Sequence, residues 1–261
     1  MVLYVHELKQ GRKIFLVWTA AVAGFIAMSL FMFPEMKGQM ESVNRIFSAM
    51  GAFTAAFGMD KLNFGTLVGF YAVECGSIIS LGGALFATVI TVNVLSKEEK
   101  EHTAEFLLAH PQSRAQIQRS KLAAVFTELT AIHFLIYVSS AVFIRCIGEG
   151  AAWRELVPLH LAYYLCQIEI TMICYAISAF SRANNYGTGM GLTMVLYFMS
   201  LLANISDKLK VFHIISPFGY AEGSDIMTDG GLDVKLIIFG MVTGIIFLTF
   251  GIVHYQHKDI Y

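Results

Sequence analysis

The sequence predicts an all-helical protein that crosses a membrane six times. Hydrophobic residues make up 56% of its 261 positions and charged residues only 14%, whereas about a quarter of the residues in soluble domains are charged. Six apolar runs are each near the roughly 20 residues that a bilayer-spanning helix needs. The net charge of -1 argues against nucleic acid as a partner.

The six runs differ in their charge content. They are Ile14–Phe33, Leu67–Leu95, Leu122–Ile147, Leu156–Phe180, Tyr186–Asn204 and Leu236–Val253. The second, third and fourth contain Glu74, Glu128 and Glu169, whose roles the sequence does not indicate. Six spans place both termini on one side, and the clustered Lys and Arg residues near the termini and between spans two and three favour the cytoplasm.

The chain is expected to form one membrane domain over residues 1–261, with three kinds of connection. Residues 1–13, "MVLYVHELKQGRK", predict an amphipathic helix before span one. Residues 34–66 and 205–235 form the extracellular loops; the first contains an amphipathic segment. The second contains "VFHIISPF", which is too short to span and suits a re-entrant or interfacial element.

A polar segment between spans two and three, "SKEEKEHTAEFLLAHPQSRAQIQRSKL", interrupts this apolar chain at residues 96–122. Ser96 is a candidate N-cap for a helix with an acidic first turn, and Pro111 ends that helix. Ser113 then caps a second helix that runs into span three. A helix, a break and a helix suit docking against a partner, although these residues fit a solvated connection equally well.

The pattern SKE-x(4)-T-A-E-F-L-L-x(2)-P-x-S-R-x(2)-I-x(3)-K in this segment resembles the cytoplasmic loop of type-two ABC exporter permeases, the six-span subunits of bacterial drug, sodium and bacteriocin-immunity exporters. "HELKQGRK" before span one is similar to the elbow helix of that family, and "ISPFGYAE" at 215–222 resembles its S-P-F-x-Y motif. Gly219 departs from the basic residue that relatives often carry there. The resemblance implies a multi-pass protein of the bacterial plasma membrane.

The resemblance further implies that residues 97–121 are a coupling helix that docks into a groove of a separate ABC ATP-binding subunit. Phe106 and Leu107 would fill this groove, and Arg114 would pair with its acidic rim. The docking residues would be Lys97, Glu98, Glu101, Thr103, Glu105, Phe106, Leu107, Pro111, Ser113, Arg114 and Lys121. A second permease copy, identical or homologous, would complete the pathway.

The sequence contains no G-x(4)-G-K-[ST] phosphate-binding motif. We therefore expect a transport subunit that is not an enzyme and holds no cofactor, with ATP and magnesium bound by the partner subunit. The four cysteines form no CxxC pair, so a zinc site is not indicated. The transported substrate is not indicated either.

His133 and Glu169 are predicted to lie at similar depth on antiparallel spans three and four, which predicts a polar pair near the membrane midplane. The alternatives are that each side chain is satisfied separately, or that Glu169 is protonated.

Two other functional classes remain as alternatives. A proton-coupled secondary transporter would use the intramembrane carboxylates, but it leaves the polar segment unexplained. An intramembrane enzyme would need a cluster such as H-E-x(2)-H or paired aspartates, and the six runs contain neither.

Overall fold

The computed structural model describes residues 2–101, 103, 112–148, 153–182 and 184–258, and the regular elements in these ranges are all helical. Six helices within these described ranges are long and apolar enough to cross a membrane. They are span one Val2–Gly38, span two Leu67–Thr91, span three Arg114–Cys146, span four Arg154–Phe180, span five Tyr186–Ile205 and span six Val234–His257. The predicted fold class and all six predicted runs are confirmed.

Spans two and four form the centre of the bundle. In the most apolar 18-residue stretch of each helix, 56% of the residues are buried in span two and 61% in span four, against 17% in span six. Span four packs against spans two and six, span one lies along span three, and span five packs against span two. The outer helices expose large apolar side chains such as Phe25, Phe134 and Phe250, which suits contact with lipid tails.

The predicted elbow at residues 1–13 is not a separate helix. It forms the first turns of span one, which continues without a break through Pro34 to Gly38. At about 1.5 Å per residue this helix of 37 residues is about 55 Å long, which exceeds the roughly 30 Å hydrocarbon core of a bilayer. The helix therefore extends beyond that core.

Span two is irregular at one end and short at the other. A π-helical turn at Tyr71–Cys75, which contains Glu74, separates Leu67–Phe70 from Gly76–Thr91. The helix ends at Thr91 rather than at Leu95 as predicted. Leu95 donates its backbone N–H to Ser178 Oγ at 2.8 Å, so span four stabilises the turn that replaces the last predicted residues.

The connection between spans one and two and the connection between spans five and six both contain short helices, and part of each is buried. Residues 34–66 contain the helices Met40–Ala49 and Gly51–Ala56, which confirms the predicted amphipathic segment. Residues 205–235 contain the short helices Val211–Ile215 and Gly223–Thr228. Between these two helices residues 216–221 are buried, because Ser216 Oγ donates to the carbonyl of Leu196 in span five at 2.7 Å.

Candidate functional site: a buried charge network beneath the polar segment

The polar segment begins with a short helix, Lys97–Lys100, directly after span two. Ser113 caps span three as predicted: its Oγ accepts from Gln116 N at 3.2 Å, and Gln116 Oε1 accepts from Ser113 N at 3.0 Å. Ser96 occupies the N-cap position of the short helix, but its side chain makes no capping bond there. Its Oγ instead accepts from Asn185 Nδ2 at 3.3 Å. The predicted docking residues Glu105, Phe106, Leu107 and Pro111 lie outside the described residues.

Lys121 is the centre of the network. Its side chain is fully buried, and Nζ donates to the carbonyl of Val94 at 2.7 Å. Nζ also forms an ion pair with Glu98 Oε1 and lies 3.3 Å from Glu7 Oε1. The ammonium group of span three is therefore held by the turn after span two, by the short helix and by span one.

Lys97 completes the network from the short helix. Its Nζ pairs with Glu7 Oε2 and donates to Gln10 Oε1 at 2.7 Å. The Glu7 carboxylate thus bridges Lys97 and Lys121. We call Glu7, Lys97, Glu98 and Lys121 the junction cluster. Because a buried charge that loses its partner is strongly destabilising, the cluster holds spans one and three and the polar segment in one arrangement.

A second set of contacts ties the end of span six to the same segment. Lys258 Nζ lies 2.7 Å from Glu99 Oε1 and donates to the carbonyl of Ser181 at 2.7 Å. Arg182 lies 3.7 Å from the other oxygen of Glu99. Arg114 Nη1 donates to the carbonyls of Lys258 at 2.6 Å and of Gln256 at 3.1 Å.

These contacts place Arg114 at the C-terminus of span six, where helix carbonyls lack intrahelical partners and a cation is favourable. The resemblance assigns this guanidinium to the rim of a partner subunit, but in the structure its Nη1 is engaged within the chain. Arg114 therefore stabilises the end of span six.

The predicted docking residues divide into two groups by direction. Lys97, Glu98 and Lys121 point into the junction cluster. Glu101, Thr103 and Ser113 are exposed. Thr103 N donates to the carbonyl of Glu98 at 2.9 Å, which turns the chain back over the short helix. The described residues thus separate an inner layer that holds the segment from an outer layer of exposed side chains.

The structure does not bring His133 and Glu169 together. His133 Nδ1 lies 3.2 Å from Gln167 Oε1, and Gln167 Nε2 donates to the carbonyl of Ile79 at 3.2 Å, so Nδ1 carries the proton. Glu169 Oε2 accepts from Tyr220 Oη at 2.8 Å. Gln167 and Glu169 are two residues apart and so about 200° apart around the helix, and only the first faces span three.

Sequence reasoning missed the surroundings of Glu169. A Cβ at Gly240 would lie 2.3 Å from Glu169 Oε2, so the glycine of span six makes room for the carboxyl group. Tyr220 belongs to the S-P-F-x-Y motif, and this motif was the sequence feature that could have drawn attention to Tyr220 as a partner of Glu169. The motif therefore joins the connection before span six to spans four and six.

A further carboxyl group lies in the connection before span six. Glu222 is half-buried; its Oε2 accepts from Asn204 Nδ2 at 3.2 Å, and its Oε1 accepts from Ser224 Oγ at 3.3 Å. Burial, together with the nearby Asp225 carboxylate, raises the pKa of Glu222 to about 7.

Comparison with known proteins gives one match. The family model described as ABC-2 family transporter protein matches residues 1–260. No curated protein and no solved structure matches the chain. The family match covers the six spans, the polar segment and the S-P-F-x-Y motif together. The chain therefore belongs to the ABC-2 family of transporter proteins.

Proposed function

We propose that this chain is the membrane-spanning permease subunit of an ATP-driven exporter in the bacterial plasma membrane, with both termini in the cytoplasm. The segment 97–121 receives the motion of a separate ATP-binding subunit, and a second permease copy completes the pathway. Membership of the ABC-2 transporter family supports this role. The absence of a phosphate-binding motif from the sequence is consistent with ATP and magnesium being bound by the partner.

The junction cluster is the observation that carries the proposal. A docking segment can move a helix bundle only if it is fastened to that bundle. Lys121 is fully buried between Glu98 of the segment and Glu7 of span one, and salt screens buried pairs far less than exposed ones. A displacement of Lys97–Lys100 therefore moves the beginnings of spans one and three together.

The inner and outer layers of the segment have different roles. The inner residues transmit motion, and the outer residues contact the partner. Glu101 and Thr103 are exposed, and the resemblance implies that Phe106 fills the partner's groove. Protein interfaces draw much of their binding energy from buried aromatic anchors, so Phe106 is the strongest contact in this proposal. Arg114 is half-buried with its Nη1 engaged within the chain, and in this proposal it stabilises the end of span six.

The experiment is affinity purification of the tagged chain in mild detergent from its native cell. We expect a soluble protein with a Walker A motif to be recovered in stoichiometric amount. Phe106→Ala and Glu101→Lys should reduce its recovery while the permease stays folded and monodisperse. Glu155→Lys is the matched control, because Glu155 is exposed at the start of span four, away from the polar segment.

Two results would contradict the proposal. One is unchanged recovery of the partner with both variants. The other is a folded chain that carries no nucleotide-binding protein and transports substrate in vesicles under a pH gradient alone. The second result would favour a proton-coupled transporter in which the intramembrane glutamates carry the proton.

A further inference from the structure

A cavity of about 220 Å³ lies next to the junction cluster, between spans one, two, three and five. Its polar rim is formed by Glu7, Lys97 and Lys121 of the junction cluster and by Lys100 of the short helix. Its wall continues into the apolar side chains Ile14, Val89 and Ile90. The cavity thus combines charged groups and apolar surface, as expected of a site for an amphiphilic ligand.

Around the cavity, carboxylates outnumber ammonium groups by one when Glu98, which pairs with Lys121, is counted with the described lining. The described lining includes three carboxylates and three ammonium groups. Lys97 and Lys121 are both paired with Glu7, and Lys121 is paired in addition with Glu98, which is not among the lining residues. One carboxylate is therefore in excess.

The excess carboxylate is Glu128. It is only 9% exposed, and it makes no hydrogen bond or ion pair with any residue in the described part of the chain. The other two charged groups of the lining, Lys100 and Glu101, are exposed and of opposite sign. A carboxylate that is buried without a cation is costly, so its presence at a cavity indicates a cationic ligand.

Gly11 shows that the fold makes room for this carboxylate. A Cβ at Gly11 would lie 2.2 Å from Glu128 Oε1. Glycine inside a helix is less favourable than alanine, and Gly11 lies well inside span one. The glycine allows the carboxylate to lie against the backbone of span one, at the edge of the cavity.

We propose that this cavity binds the headgroup of an organic cation that carries an apolar tail. The ammonium group lies at Glu128, and the tail follows the apolar wall. Tyr186 also lines the cavity, and aromatic rings attract ammonium groups. The volume equals about seven water molecules at about 30 Å³ each. It is smaller than the pockets of about 300–1,000 Å³ that enclose drug-sized ligands, so it suits a small headgroup with a short tail.

An inorganic cation fits the cavity less well. Calcium and similar ions need about six oxygen ligands. Besides the charged residues, the lining offers the amides of Gln10 and Asn93. Gln10 Oε1 already accepts from Lys97 Nζ at 2.7 Å, and Asn93 Oδ1 accepts from Asn185 N at 2.8 Å. Both amide oxygens are therefore already engaged within the chain.

The test is calorimetric titration of hexyltrimethylammonium into the full chain in nanodiscs of zwitterionic lipid. Hexyl sulfate and hexanol serve as ligands with the same tail. We expect saturable binding of the cation alone, weakened about tenfold or more by Glu128→Gln, a change that corresponds to about 1.4 kcal/mol. Gly11→Ala should weaken binding similarly, because it displaces the carboxylate and keeps its charge. Glu155→Gln, which removes an exposed carboxylate elsewhere, should leave binding unchanged.

Three results would overturn the inference. These are the absence of saturable binding, equal affinity in Glu128→Gln, and tighter binding of hexyl sulfate, which would assign the cavity to its lysines. If Gly11→Ala does not fold, the comparison between wild type and Glu128→Gln still decides the question. The proposed binding site is inferred from the cavity and does not depend on the proposed function. The proposed function is tested by recovery of the partner, so a negative binding result would not affect it.

Discussion

Replacing Lys121 with methionine is expected to cause a large loss of stability. The methionine keeps the length of the apolar stem and removes the ammonium group. The carbonyl of Val94 then loses its donor, and Glu98 loses the cation at Oε1. Glu98 Oε2 already has no hydrogen-bond partner, so this substitution leaves a buried carboxylate with no counter-ion at the junction cluster.

The size of the effect follows from the burial of Lys121. Removing one partner of a buried ion pair costs about 3–5 kcal/mol, and the Lys121 side chain is 0% exposed. For chains of about 150–250 residues, 1 kcal/mol changes Tm by about 2–4 °C. Because this chain is only slightly longer, Tm should fall by about 6–20 °C.

Thermal unfolding in detergent, followed by intrinsic fluorescence, measures this change. Lys97→Met is the matched comparison. Lys97 is 22% exposed, and Glu7, which loses Lys97 in this variant, is still paired with Lys121. The decrease in Tm should therefore be much smaller. Glu98→Leu combined with Lys121→Met should recover part of the loss, because the unpaired carboxylate is gone. Equal losses from the two lysine variants, or no recovery in the double variant, would refute the reasoning.

The other predictions concern the second half of the chain. Gly240→Ala should lower Tm, because the new Cβ would lie 2.3 Å from Glu169 Oε2, whereas Gly191→Ala, with nothing within 4 Å of its Cβ, should match or exceed wild type. Tyr220→Phe removes the hydrogen bond to Glu169 and should cost about 1–3 kcal/mol, measured by the same unfolding assay; an unchanged Tm would contradict this. Glu222 has a pKa raised to about 7, so its contribution to stability is fully present below its unfolded pKa, near 4.5, and is lost as the pH rises through about 7. Tm measured from pH 5 to 8 should therefore fall less in Glu222→Gln than in wild type, and parallel curves would exclude this explanation.

Local features were predictable from the sequence. The six spans follow from the length of each apolar run. The Ser113 cap was predicted because it depends only on residues three positions apart. Ser96 has a similar local signal, but its hydroxyl accepts a hydrogen bond from Asn185 instead. A contact between residues distant in the sequence thus replaced the local one.

The partners of the charged side chains were not predictable. The depth of His133 and Glu169 could be counted along the helices, but their pairing depends on which way each helix is rotated. That rotation places Gln167 toward span three and Glu169 toward Tyr220. Arg114 likewise reads as a surface residue in the sequence and becomes a cap of span six only because the end of that helix lies beside it.

The sequence by itself determined that this protein is a six-span membrane bundle with one polar segment between spans two and three, because hydrophobic length and turn chemistry are local properties. Only the tertiary structure decided that the segment is fastened to the bundle through Lys121 and that Glu128, beside a cavity, has no partner among the described residues. The physical reason is that an ion pair needs its groups within about 4 Å. Glu7 and Lys121 meet that condition only once the helices have packed.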